Sequence, residues 1–129
     1  MHAPERLWGL RVVSTPEALD AARYTGDVTV LQIAADEVLA LDAAHVELDD
    51  PYAIIEPEST FVKWTLTYDE FDHHLVRHIE WQLPSARPAL AQGLVAGMPV
   101  KLWLTDDHVD LIVSNGLVHE AVDRLGVRA

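Results

Sequence analysis

The clearest pattern of apolar and polar positions runs from Gly97 to Gly126. Apolar residues occupy every second position in two short runs on either side of a turn at 105–108, which predicts two strands joined as a hairpin. Apolar residues at helical spacing follow, so we expect a helix that Ser114 or Asn115 caps and Gly126 ends. The segment therefore predicts strand, turn, strand and helix, with a signal at each boundary.

The middle of the chain predicts a strand followed by a helix. Residues 62–67 alternate apolar and polar side chains, which is typical of a strand with one buried face. Residues 69–83 carry apolar side chains at four-residue spacing, which predicts a helix that ends before Pro84. Residues 89–93 are expected to form a short helical turn or to lead into a strand at Leu94.

The N-terminal half predicts a helix and a hairpin. Ser14 and Glu17 have the spacing of a capping box, so we expect a helix that starts there and ends at Gly26. Two apolar runs, at 28–34 and 37–41, are separated by only two residues, which predicts a β-hairpin.

Together these elements predict an α+β fold in a single small domain, residues 1–129. The expected core is 14–126, with an N-terminal strand or arm in 1–13 and a surface connection in 42–53. The expected order is α-β-β-β-α-β-β-α, a mostly antiparallel sheet with helices packed on it. No glycine-rich turn follows a strand, so a dinucleotide-binding unit is not indicated.

The amino-acid composition excludes several classes of function. The chain is 50% hydrophobic and has no cysteine, which fits a globular domain without disulfides or thiolate ligands. Its net charge is −12 and its basic residues are scattered, which argues against a nucleic-acid partner. No apolar run reaches the roughly 20 residues of a membrane span, and no signal peptide is apparent, so we expect a cytoplasmic protein with no membrane partner. The acidity fits either a solvated surface or a face for a basic protein partner.

A stripe of metal-ligand residues lies in the predicted helix at 69–83. Glu70, His74 and His78 follow each other at four-residue spacing, which places one carboxylate and two imidazoles on one helix face. Such a set could hold a divalent metal ion. The alternative is a solvated or edge-packed face, because the pattern is not a zinc-protease motif and no further ligand segment accompanies it.

Two other places could carry function. His108 follows Asp106 and Asp107 in the predicted hairpin turn, where a histidine beside a carboxylate could serve acid–base chemistry, although turns also favour these residues for backbone reasons. Trp103 and Lys101 lie on the strand face opposite the apolar set, so they are candidate interaction residues. The alternative for Trp103 is that a second layer covers this face of the sheet.

Several segments resemble the gamma subunit of heterotetrameric sarcosine oxidase. LQIAADEVLALDA is similar to the opening hairpin of that family, and the helical segment TPEALDAARYTG precedes it as in the family. FVKWTLTYDEFDHHLVRHI falls where the family has a strand and a helix, and AQGLVAGMPVKLWLTDDHVDLIVSNGLVHEAVDRL resembles its closing segment. The resemblance covers about residues 15–125, with the elements in the same order.

The resemblance implies the small α+β fold of the folate-binding-domain type, shared with the T-protein of glycine cleavage. It also implies a non-catalytic structural or interaction subunit of an amine-demethylating oxidase complex, with a protein partner or a homo-oligomer. The resemblance assigns no cofactor to this chain. Folate is the one small-molecule ligand that it implies. The alternatives are a stand-alone binding domain for a folate-like small molecule and a metal-dependent enzyme that uses the Glu70, His74 and His78 stripe.

Overall fold

Every strand pairing is antiparallel in the computed structural model, which describes residues 1–129. The strands are β1 (Glu5–Arg6), β2 (Gly9–Val13), β3 (Arg23–Tyr24), β4 (Thr29–Ala34), β5 (Glu37–Leu41), β6 (Val46–Glu47), β7 (Ile54–Glu58), β8 (Phe61–Leu66), β9 (Ala89–Val95), β10 (Met98–Leu104) and β11 (Val109–Ser114). The α-helices are α1 (Pro16–Ala21), α2 (Tyr68–His74) and α3 (Val118–Leu125), with 3-10 turns at Val76–His78 and Asn115–Leu117. The expected α+β class is confirmed.

The chain divides into two compact units, residues 1–6 with 61–129 and residues 7–60. The first unit holds a five-stranded sheet in the order β1-β8-β11-β10-β9. The second holds a four-stranded sheet in the order β4-β5-β2-β7 and a two-stranded sheet of β3 and β6. No helix in the structure is long and apolar enough to cross a membrane. The expectation of one domain stays a prediction.

The second unit is inserted between two strands that pair with each other. β1 and β8 are antiparallel neighbours, with Arg6 opposite Val62 and Glu5 opposite Lys63. The chain therefore leaves the five-stranded sheet at Arg6, builds the second unit, and returns to the strand beside the one it left.

The five-stranded sheet has the alternation that the C-terminal pattern predicts. Val100, Leu102 and Leu104 are buried, whereas Lys101 and Trp103 lie on the opposite face and are half-buried. The same core contains side chains from neighbouring strands and from α2 and α3, namely Trp64, Leu66, Phe71, Leu111, Ala121 and Leu125. Burial of one leucine or phenylalanine of this kind contributes about 1.5–3 kcal/mol, so this layer is the main stabilising feature of the first unit.

The second unit has a smaller core on one face of its sheet. Val12 of β2 and Val38 of β5 are opposite each other in the ladder and pack with Leu19 of α1 and Val46 of β6. β2 lies between β5 and β7, so residues 9–13 of the N-terminal segment form an internal strand of this sheet. The predicted hairpin of β4 and β5 is present, with a β-bulge between Gln32 and Ala34.

The helix predicted over 69–83 is wrong beyond His74. α2 ends there, a single 3-10 turn follows, and residues 79–88 have no regular secondary structure. The four-residue apolar spacing is nevertheless used, because Leu75 is buried and Ile79 and Leu83 pack against the core from an irregular chain. A periodic apolar pattern identifies which positions are buried. It does not fix the backbone conformation, and β-branched residues followed by Pro84 do not favour a continuous helix in this segment.

The helix boundaries differ from prediction at α1 and at the start of α3, where neither Ser114 nor Asn115 caps the helix: a 3-10 turn covers Asn115–Leu117, and α3 begins at Val118 without a side-chain cap. The side chain of Thr15, not Ser14, accepts the capping hydrogen bond of α1, and the helix ends at Ala21, well before Gly26. Ser14 instead donates its hydroxyl hydrogen bond to Asp50, at 2.5 Å. Gly126 ends α3 as predicted, with a left-handed φ of 71°. Residues 89–93, expected as a helical turn or a lead-in, belong to the edge strand β9.

Candidate functional site

Glu70, the carboxylate of the predicted metal stripe, serves as a capping residue. Its Oε1 accepts a hydrogen bond from the backbone N–H of Thr67 at 2.9 Å, and the Thr67 side chain accepts one from the Glu70 N–H at 3.1 Å. Its Oε2 lies 3.1 Å from the amino group of Met1. The Thr67 hydrogen bond and the amino group hold the pKa of Glu70 below its usual value.

The two histidines of the stripe have different partners. His74 Nδ1 lies 3.0 Å from the carbonyl oxygen of Leu125, which can only accept, so this nitrogen carries the proton. His78 lies in the 3-10 turn beyond the end of α2, and its Nε2 accepts a hydrogen bond from Arg77 Nε at 3.2 Å. Because α2 ends at His74, the continuous helical stripe that would align the three side chains is not formed.

No three or more His, Asp or Glu side chains in the structure are grouped as a metal ion would require. Glu70, His74 and His78 each use a ligand atom within the fold. Metal binding by these residues stays a prediction. Metal analysis of protein purified without an affinity tag, with and without alanine at both histidines, would check it.

His108 pairs with a residue that the sequence pattern did not single out. Its Nε2 lies 3.6 Å from Oδ1 of Asp110, the second residue of β11. Asp110 is buried, and its Oδ1 also accepts a hydrogen bond from Thr65 Oγ1 at 2.9 Å. The available signal was the spacing of two between His108 and Asp110 where the strand begins, because residues two apart in an extended segment lie on the same side of the chain.

The turn before β11 accounts for the polar residues around His108. Thr105 Oγ1 accepts hydrogen bonds from the N–H groups of Asp107 at 3.3 Å and His108 at 3.1 Å, and donates to the His108 carbonyl at 2.8 Å. One hydroxyl thus organises the whole turn. This arrangement supports the structural interpretation of these residues, and acid–base catalysis by His108 stays a prediction.

The face that carries Trp103 and Lys101 is partly covered. Trp103 is half-buried, and the Lys101 ammonium lies 5.1 Å from the centre of the Phe61 ring. On the same face Ile112 is only 1% exposed and Asp110 7%. Trp103 is therefore not a fully exposed aromatic side chain, and its role as an interaction residue stays a prediction.

Trp81 lines two clefts of the first unit. Its indole packs over Gly93, and its Nε1 donates a hydrogen bond to the Leu94 carbonyl of β9 at 2.9 Å. The clefts have volumes of about 510 and 550 Å³. The first is lined by Arg77, His78, Glu80, Trp81, Leu94, Ala96 and Gly97. Folate binding stays a prediction, and a rise in melting temperature at saturating folate would support it.

The second unit has an exposed apolar segment that the sequence reasoning missed. Tyr52 is 90% exposed, and Ile54 and Ile55 at the start of β7 are 48% and 44% exposed. The available signal was the apolar run between Pro51 and Pro57, flanked by acidic residues. Neighbouring exposed apolar side chains are typical of contact surfaces, whereas single ones are common on any protein.

Charged residues hold this segment in place. Arg11 of β2 donates from Nε to Glu37 at 2.9 Å and from Nη1 to Glu56 at 3.4 Å, and these carboxylates raise its pKa. Asp50 accepts the Ser14 hydroxyl and the backbone N–H of Tyr52, which lower its pKa. Both ends of the exposed segment are therefore fixed by polar contacts within the second unit.

Comparison with known proteins identifies the fold. No family model matches the sequence, and no curated protein matches it by sequence. The structure is similar to a chain of the heterotetrameric sarcosine oxidase from Corynebacterium sp. U-96, solved in complex with pyrrole 2-carboxylate, with a TM-score of 0.70 and 15% identity. The match covers 95% of this chain and 80% of that chain. At this identity the likeness shows the fold, and it confirms that the chain has the fold of a sarcosine oxidase subunit.

Proposed function

We propose that the chain is a non-catalytic, partner-binding subunit of a multi-chain oxidase-like assembly. The observation that carries the proposal is the fold likeness to a chain of a heterotetrameric enzyme over 95% of this chain. A fold hosts many functions, so the likeness needs support from surface features of this chain.

The exposed apolar segment supplies that support. Tyr52, Ile54 and Ile55 lie within four residues of one another and are all exposed. Tyrosine is enriched among residues that dominate protein interfaces, and burial of apolar area drives association. A partner that covers these side chains would remove them from water, whereas the chain alone leaves them in contact with it.

The polar residues around His108 and along α2 have structural partners, which is consistent with a subunit that binds rather than reacts. Thr105 organises the turn of His108, Glu70 caps α2, and His74 holds the end of α3 through Leu125. Trp103 and Lys101 remain candidate contact residues in the proposal, beside the segment of Tyr52. A cytoplasmic location for the assembly also belongs to the proposal.

Purification of the complex at native expression level would test the proposal. The chain would carry a C-terminal tag in its own host, and its mass would be measured by size exclusion with light scattering. We expect stoichiometric partner chains that elute together with the tagged chain. A monomer without a stoichiometric partner would contradict the proposal.

Two surface variants would locate the contact. Tyr52→Ser combined with Ile54→Thr removes exposed apolar area without altering the buried core, so we expect the partner chains to be lost. Leu94→Ser is the control, because Leu94 is an exposed apolar residue of the other unit, with an exposed fraction of 59% that lies between those of Ile54 and Tyr52. Loss of partners in the control alone would place the contact near Leu94 instead.

A further inference from the structure

We propose that β7 is an open sheet edge at which an extended basic segment of a partner protein adds as a further strand. The inference rests on the proposed function and names the mode of contact. β7 pairs with β2 on one side and is the last strand of its sheet on the other. Strand addition at such an edge is a recurrent mode of peptide recognition.

The hydrogen bonds on either side of β2 show which backbone groups of β7 face outward. Ser14 N–H donates to the Asp36 carbonyl at 3.0 Å, and Asp42 N–H donates to the Trp8 carbonyl at 2.9 Å. Even-numbered positions along β2 therefore bond toward β5. Because the backbone groups of successive residues point to opposite sides of a strand, the odd-numbered positions bond toward β7.

The odd-numbered residues of β2 are opposite Ile54, Glu56 and Glu58. The N–H and C=O groups of these three residues accordingly bond to β2. Ile55 and Pro57 alternate with them, so their backbone groups point away from the sheet. Pro57 has no N–H, which fits an outward position on an edge strand. The open edge thus offers the N–H and C=O of Ile55 and the C=O of Pro57.

The other sheet edges are protected. β1, β3 and β6 are only two residues long. The edge of β9 is capped by Trp81, which donates to the Leu94 carbonyl at 2.9 Å. The edge of β4 has a bulge, and the Gln32 side chain donates to the Ala34 carbonyl. Short strands, covered edges and β-bulges all protect a sheet edge from unwanted strand pairing. At β7, Pro57 removes one N–H from the edge but leaves the N–H and C=O of Ile55 open.

The side chains around this edge define the chemistry of the partner. Ile54 and Ile55 present apolar surface on the two faces of β7, and Tyr52 precedes them. Glu56 and Glu58 follow, and the Glu56 carboxylate is 59% exposed despite its contact with Arg11. A partner strand in which lysine or arginine alternates with apolar residues would match both features, since opposite charges across strands stabilise pairing.

A second copy of this chain matches the edge poorly. Each copy has a net charge of −12, so two copies would bring like charges together. Like charges on neighbouring strands destabilise the pair. Charge complementarity therefore selects a basic segment of a different protein.

A short peptide can test this edge without knowledge of the natural partner. We would titrate the full chain with a six-residue peptide of alternating lysine and valine, and with its glutamate–valine counterpart, and measure amide shifts and hydrogen exchange. The Ile55 amide, which is open in the free protein, should shift and become protected with the lysine peptide. The binding should weaken as salt is added.

Substitution at Ile55 separates the backbone contact from the side chain. Ile55→Pro removes the outward N–H but no hydrogen bond to β2, and the extended Ile54 before it tolerates a following proline. Ile55→Val is the control that keeps the N–H. We expect a loss of affinity of about tenfold or more for Ile55→Pro and little change for Ile55→Val. Glu58→Lys leaves the backbone unaltered and should also weaken binding of the lysine peptide, because it replaces a negative charge with a positive one.

The results have distinct meanings. An Ile55 amide that does not respond to the lysine peptide, or equal binding by Ile55→Pro and Ile55→Val, would overturn the inference. A dimer that Ile55→Pro abolishes would make a second copy the occupant and refute the assignment of a basic partner. If the native assembly persists in Ile55→Pro, the edge inference fails while the proposed function stands. If no assembly exists even in the wild type, the proposed function fails, and the peptide titration still decides the edge.

Discussion

Gly9 of β2 leaves no room for a side chain against its neighbour β5, and we predict that Gly9→Ala destabilises the protein strongly. An added Cβ would lie 2.1 Å from the Ala40 carbonyl oxygen and 2.9 Å from its carbon, although real Cβ atoms essentially never approach closer than 3.0 Å. Both obstructing atoms belong to the backbone of an internal strand pair, so no side-chain rotation relieves the overlap.

The cost follows from what must move. β2 and β5 would have to separate by about 1 Å, which weakens about two ladder hydrogen bonds at about 1 kcal/mol each. Overpacking of a packed interior adds about 1–3 kcal/mol. We therefore expect Gly9→Ala to lower the free energy of unfolding by about 3–5 kcal/mol, a large part of the typical 5–15 kcal/mol of a domain.

Urea unfolding followed by circular dichroism would measure this loss. Gly116→Ala is the control, because a Cβ at Gly116 meets no atom within 4 Å and the residue has no positive φ. We expect the control to change the free energy of unfolding by less than about 0.5 kcal/mol. A loss below about 1 kcal/mol for Gly9→Ala, with an unchanged m-value, would refute the steric reasoning.

Three further predictions concern single side chains. Gly126→Ala should lower the free energy of unfolding by about 1 kcal/mol in urea titrations, because Gly126 has a φ of 71°; an unchanged midpoint would contradict this. Trp64→Phe removes the 2.7 Å hydrogen bond from Nε1 to the Arg128 carbonyl and should lower the free energy of unfolding by about 1–3 kcal/mol, seen as a lower melting temperature. An unchanged melting temperature would show that this hydrogen bond adds no stability. Glu70 has a pKa below its ordinary 4.5, so the stability it contributes is complete above about pH 4.5 and is lost as the pH falls toward the folded pKa. Glu70→Gln should therefore flatten the fall of the unfolding free energy below about pH 4.5, and an identical pH profile would disprove this role.

Local patterns in the sequence predicted elements whose signals are local. The hairpin of β10 and β11 and the stop of α3 at Gly126 were predictable because alternation and a C-terminal glycine each act within a few residues. The cap of α1 was misplaced by one residue because Ser14 and Thr15 are both of the residue types preferred at helix N-caps. Asp50, 36 residues away in sequence, takes the Ser14 hydroxyl and leaves Thr15 to the helix.

Features that depend on tertiary contacts were not predictable. The end of α2 at His74 was not predictable from the apolar spacing, because a helix or an irregular chain could place Leu75, Ile79 and Leu83 against the core equally well. The open edge of β7 depends on which strand becomes its neighbour, and no residue of 54–58 encodes that alone. The interaction residues chosen from the sequence, Trp103 and Lys101, were identified from strand alternation, which cannot show how far each face is covered.

The insertion of residues 7–60 between β1 and β8 has a consequence for the order of folding. Until this segment is folded, pairing Arg6 with Val62 closes a long flexible loop, which costs about 3.5 kcal/mol in chain entropy. A strand of two residues cannot offset that cost with its own hydrogen bonds. Once the second unit is folded, its two ends are held in place and the loop no longer has to be closed. β1 should therefore join its sheet only after the inserted unit has folded, and its attachment reports on whether that unit is intact.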